Sequence, residues 1–140
     1  MKIYEISQKM QGEWIEDVKS ILDTWTTYNV SLAEFKKAVL VDGLNYASAH
    51  GGVAWIVDSS SAKGAFTPEI HKFIETDVFA AFARIGIKYF ITINSQVSAI
   101  TKLNVKQYSS VAGPHGVKLL EFNSSSDAVI WLKENVFVEN

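Results

Sequence analysis

VAWIVDSSSAKGAFTPEIHKFIETDVFAAFARIGIKYFITI, residues 53–93, decides the fold. It opens on an apolar run, VAWIVD at 53–58, and passes through a polar loop to a helix-type stretch beginning at Thr67-Pro68. It closes on a second apolar run, IKYFITI at 87–93. Outward from it, a third run, VKLLEF at 117–122, follows more helix and precedes a last amphipathic segment. Short runs that are apolar on both faces, alternating with helices, specify a parallel sheet covered by helices.

Within the stretch, Thr67 can cap the helix, and Pro68 fits its first turn, where the missing N–H costs nothing. Gly86 ends the helix one residue after Ile85. Ile70, Ile74, Val78, Ala81 and Ile85 share one face of the wheel and form its core stripe. Phe79 falls roughly opposite, on the side of Phe82, Glu75 and Lys72. Two outward phenylalanines read as an interface: burying each contributes about 1.5–3 kcal/mol, enough for a symmetric pair to support a weak homodimer or a partner contact. The competing expectation is that Phe137-Val138 covers them.

Towards the N-terminus, residues 2–7 alternate as KIYEIS, and residues 18–28 read as a longer strand carrying Ile21, Leu22, Trp25 and Tyr28. The polar segment 8–17 between them, with one glycine, is expected to turn the chain and make an initial antiparallel pair. Ser31-Leu-Ala-Glu34 has the form of a capping box. The helix it opens carries Leu32, Phe35, Val39, Leu40 and Tyr46 at helical spacing, and Gly43 allows close approach to the sheet. The helix is expected to end before Gly51-Gly52, a pair suited to positive backbone angles. Beyond Ile93, a helical region at 96–112 is expected to break near Leu103–Asn104, and Gly113-Pro114 turns the chain into the last strand. Ser124-Ser-Ser-Asp127 caps a final helix whose buried side is Ala128, Trp131 and Leu132. The expected fold is α/β: a mixed, mainly parallel sheet with an N-terminal antiparallel strand pair and about four covering helices, in one domain spanning 1–140.

Composition bounds the function. Hydrophobic residues at 48% against 20% charged exclude a disordered chain. The absence of cysteine excludes disulfides, thiolate metal sites and a cysteine nucleophile. A net charge of −2 without a Lys/Arg stripe argues against nucleic-acid binding. The first residues are too polar for a signal peptide, and no run approaches the roughly 20 apolar residues of a membrane span. A soluble, cytoplasmic protein without a cofactor is the expectation.

The segment SSSDAVIWLKEN, with DA-x-x-WL after a strand, resembles the C-terminal helix of STAS-like domains, relatives of bacterial anti-sigma factor antagonists and of the cytoplasmic domains of sulfate transporters. WTTYNVSLAEFKKAV is similar to the strand-then-helix opening of stand-alone members. VAWIVDSSSAKGAFTPE is similar to their central strand ending in Asp. The resemblance covers about residues 18–135 and implies a non-catalytic α/β module that engages a protein partner or a small ligand. It implies a phosphorylated Ser or Thr near Thr67. The aspartate–serine–serine–glycine-type motif is absent at that helix start, and Asp58–Ser61 falls several residues too early.

Asp58, Ser59, Ser60 and Thr67 are the candidate ligand-binding residues, because ligands of open α/β sheets bind at the carboxyl ends of strands. The structural alternative is that Asp58 and the serines satisfy loop amides. A phosphatase-like acid pair would need an Asp at position 60, where Ser60 stands. His50, His71 and His115 lack metal-ligand spacing. A Ser59–His50–acid triad has no nucleophile-elbow sequence behind it. A small hydrolase or transferase centred on Asp58–Ser61 is therefore the alternative to a binding module, as is a carrier of a small apolar ligand. A deep polar cleft with His50 and Asp58 would favour the enzyme; a closed apolar cavity would favour the carrier.

Overall fold

The computed structural model describes residues 1–60, 62–93 and 116–137. Strands β1 (Lys2–Ile6), β2 (Met10–Ile15) and β3 (Ser20–Trp25) form an antiparallel meander. Strands β4 (Ala54–Asp58), β5 (Tyr89–Ile93) and β6 (Lys118–Phe122) continue it in parallel from β3, giving the order β1-β2-β3-β4-β5-β6. The sheet is mixed and mainly parallel, as the apolar runs require.

The segment at 8–17, expected as a turn, instead contributes β2. Met10, Gly12 and Trp14 point inward while Gln11 faces solvent, so a period of two is present beneath a polar average. The strand expected at 18–28 is correspondingly shorter. A 3₁₀ turn at Glu16–Val18 and a left-handed Lys19, φ 46°, place its start at Ser20.

Helix α1, residues 32–50, crosses from β3 to β4. Ser31 Oγ accepts from the Glu34 amide at 3.1 Å, and Glu34 Oε1 accepts from the Ser31 amide at 2.9 Å, completing the capping box. Its middle, Lys36–Gly43, is π-helical, and Gly51 at φ +71° ends it. Helix α2, residues 68–85, crosses from β4 to β5, with Thr67 Oγ1 accepting from the Ile70 amide at 3.2 Å and Gly86 at φ +96° closing it. Helix α3 (Ser125–Asn135) follows β6, capped by Ser124, whose Oγ accepts from the Asp127 amide at 3.1 Å. The helical region expected at 96–112, its break and the Gly113-Pro114 turn lie outside the described residues.

Helix α2 buries Ile70 and Val78 and half-buries Ile74, as the wheel predicts, and further along buries Ala81 and half-buries Ile85. Phe79 and Phe82, expected on the outer face, are instead in the core, at 0% and 1% exposure. The cause is the π-helical turn Ile74–Val78. A π-bulge inserts one extra residue into the turn, which rotates everything after it by about 100° relative to a plain α-helix. That rotation carries both rings inward, and the proposed interface at Phe79 and Phe82 loses its basis. Phe137 packs on the opposite side of the sheet, so it is not their cover either.

The sheet carries a core on each face. Ile21, Trp25 and Trp55 face α1 and α2. Ala54, Ile56, Ile91 and Ile93 face α3 through Ala128 and Leu132. Sequential strands joined by crossovers of the usual right hand place α1 and α2 on one face.

Candidate functional site

The residues expected to bind a ligand are spent on local structure. Asp58, at the end of β4, accepts from the Ser60 amide at 3.0 Å and from Ser60 Oγ at 2.6 Å, both through Oδ1. Ser59 is buried and turns to the other face, where its hydroxyl pairs with that of Tyr28. Thr67 serves as the cap of α2. Ser61 lies outside the described residues. These side chains therefore do not converge on one site.

His50 closes α1, stacked on Tyr46 with ring centroids 3.9 Å apart. It precedes β4, whose far end bears Asp58, so the two stand at opposite ends of the sheet and the polar cleft that would favour an enzyme is not formed. His71 lies on α2 with its ring 5.9 Å from Phe66, and its burial lowers its pKa below the usual histidine value. His115 is outside the described residues.

What the fold brings together is a site the sequence reading did not single out. Asp23 points inward from the middle of β3 at 1% exposure. The Tyr4 hydroxyl donates to its Oδ1, and Trp55 Nε1–H donates to its Oδ2 at 2.8 Å. Two glycines make this possible. Gly12 on β2 pairs with Tyr4 on one side and Asp23 on the other, and a Cβ there would lie 2.2 Å from the tyrosine ring. The ring thus lies across β2 to reach the carboxyl. Gly43 lets α1 settle onto the same group: a Cβ would meet Trp55 at 2.6 Å and the Tyr4 hydroxyl at 3.0 Å. Burial pushes the Asp23 carboxyl up to about 7, against the opposing pull of the Tyr4 and Trp55 hydrogen bonds. Burial and the neighbouring Asp23 charge likewise raise the Tyr4 phenol.

Asp23 forms the polar floor of a cavity of about 50 Å³ between the sheet and the two helices. Trp25, Trp55 and Phe90 line it from the sheet, Phe35 and Val39 from α1, Ile74, Val78 and Phe82 from α2, and Phe66 from the loop before α2. The π-helical turns supply Val39, Ile74 and Val78. Phe66 closes the end nearest Tyr28, with ring centroids 4.3 Å apart. On the outer side of the same helices an open groove of about 510 Å³ runs over Leu40, Leu44 and Ile85, with Asp77 and Arg84 at its rim.

A signal for this site was present in the sequence. Asp23 occupies an inward position of the alternation Ile21-x-Asp23-x-Trp25, where a carboxyl needs partners. Among the described residues no group of acidic and imidazole side chains is placed to hold a metal ion, and no helix is long and apolar enough to cross a membrane. The chain matches no family model, no curated protein and no solved structure.

Proposed function

We propose that this protein is a non-enzymatic binding module, of the STAS-like kind its sequence resembles, whose ligand is a small, largely apolar molecule held between the sheet and helices α1 and α2. The observation that carries the reading is an aromatic-walled cavity with one buried carboxyl at its floor. Small-molecule sites are concave and mostly apolar, with a few placed polar groups that fix orientation. At about 50 Å³ the space is far below the roughly 300–1,000 Å³ of a drug-sized site, so the ligand is small or the helices part to admit it. Both helices turn a π-helical stretch to the cavity, a geometry often found at functional sites. The alternative of a hydrolase or transferase at Asp58–Ser61 has less support: Asp58 is engaged by Ser60, Ser59 by Tyr28, and His50 is remote from both.

The test uses the two tryptophans that line the cavity. Small apolar ligands should perturb the fluorescence of Trp25 and Trp55 saturably and raise the melting temperature. Val78→Leu, which adds a methylene at the wall, should remove both responses while the protein stays folded. No response in the wild type, or an unchanged response in Val78→Leu, refutes the reading.

A further inference from the structure

We propose that the cavity takes a short alkylammonium ion, with the Asp23 carboxylate as its counter-ion. This rests on the cavity being a binding site, and it names the ligand class of that site.

The carboxyl itself is incompletely used. Each oxygen receives one hydrogen bond, from Tyr4 and from Trp55, whereas an ionised carboxylate offers about four acceptor positions. Both donors are neutral. Among the described residues no lysine, arginine or histidine is paired with Asp23, and the charged neighbour that acts on its partner Tyr4 is of its own sign, Asp42. An ionised group in so apolar a setting lacks a counter-charge, and an unpaired buried charge is costly. An ammonium supplies both the charge and the missing donors.

The walls favour the same sign. Trp25, Trp55, Phe35, Phe66, Phe82 and Phe90 present rings to the cavity, and aromatic faces attract cations within about 6 Å while repelling anions. Size narrows the class further. A volume of about 50 Å³ accommodates roughly one or two groups of water's size, which is an ammonium head with one carbon, and a second carbon enters as the helices part. Binding needs the carboxylate form, so at acidic pH each ammonium bound releases the Asp23 proton to solvent.

The experiment titrates the full chain with ethylammonium chloride, ethanol and sodium acetate at constant ionic strength and pH 8, following the indole N–H signals of Trp25 and Trp55 by NMR. Ethylammonium should bind at least tenfold more tightly than ethanol, and acetate should not bind. In Asp23→Asn, ethylammonium should be no better than ethanol. In the wild type, ethylammonium affinity should fall towards tenfold per unit as pH drops below 7, while ethanol binding stays level; this arm needs no variant. The titratable groups about the cavity are Tyr4 on β1, Tyr28 after β3, Asp42 on α1, Asp58 on β4 and His71 on α2. His71, its pKa lowered by burial, also gains charge as pH falls, so a pH dependence that persists undiminished in Asp23→Asn assigns the effect to His71 and overturns the proposal. Equal affinity for ethanol and ethylammonium overturns it too, and leaves the cavity reading standing. Saturable binding of neither probe removes both.

Discussion

Asp23 shows how one residue can govern the response of the whole fold to pH. Its folded pKa, about 7, lies above the ordinary 3.8 because burial disfavours the charged form more than Tyr4 and Trp55 favour it. Between those two values the unfolded chain has already lost the proton that the folded chain retains. The group's contribution to stability is therefore full below the lower value, declines by up to about 1.4 kcal/mol per pH unit as pH rises, and is lost above the upper one. Asp23→Asn keeps the shape without the ionisation. Chemical denaturation at pH 5 and pH 8 should show the wild type losing more stability across that interval than the variant. Parallel losses in the two proteins would refute this account. The alternation around Asp23 marks it as inward, but its partners were not legible at the residue scale, because they stand 19 and 32 positions away in the chain and only the sheet register joins them.

At the scale of elements, legibility depended on how local the determining physics is. The strands at 54–58 and 89–93 were readable because a strand covered on both faces must be apolar throughout, and the edge strand at 118–122 because its apolar residues keep the run recognisable despite the exposed Lys118 and Glu121. The caps Ser31, Thr67 and Ser124 were readable because each bond closes within three residues. Strand β2 was hidden by its polar average and by Gly12, whose side chain is missing so that the Tyr4 ring can occupy its place. Gly12→Ala should therefore cost about 1–3 kcal/mol by overpacking, and should detach Tyr4 from Asp23, visible as a further upward shift in the carboxyl's titration by NMR. A variant as stable as the wild type would show that the tyrosine ring does not need that space. The phase of α2 was hidden for a different reason: nothing local in Ile74–Val78 marks a π-helical turn, yet it decides which way Phe79 points. With Phe79 at 0% exposure, Phe79→Asp should unfold the domain or cost more than about 3 kcal/mol, as large losses of buried aromatic volume do. A stable, folded Phe79→Asp protein would restore the uniform α-helical phase and with it the outward ring.

The molecule as a whole is one sheet with a separate core on each face, and the cavity belongs to only one of them. Ile70 of α2 is fully buried on the cavity face, while Leu132 of α3 is fully buried on the other, against residues such as Ile56 and Ile91. The two side chains belong to separate cores with the sheet between them. Separation of that kind predicts independence. Ile70→Val should cost about 0.5–1.5 kcal/mol and Leu132→Ala about 2–5 kcal/mol, and the double variant should fall within about 0.5 kcal/mol of their sum. Urea denaturation of the four proteins measures the coupling. A discrepancy above about 1 kcal/mol would mean that the strands transmit strain from one core to the other. In that case α3 would bear on the cavity through the sheet, and occupancy of the cavity should then change hydrogen exchange in α3; with additive costs, that helix should stay indifferent to ligand.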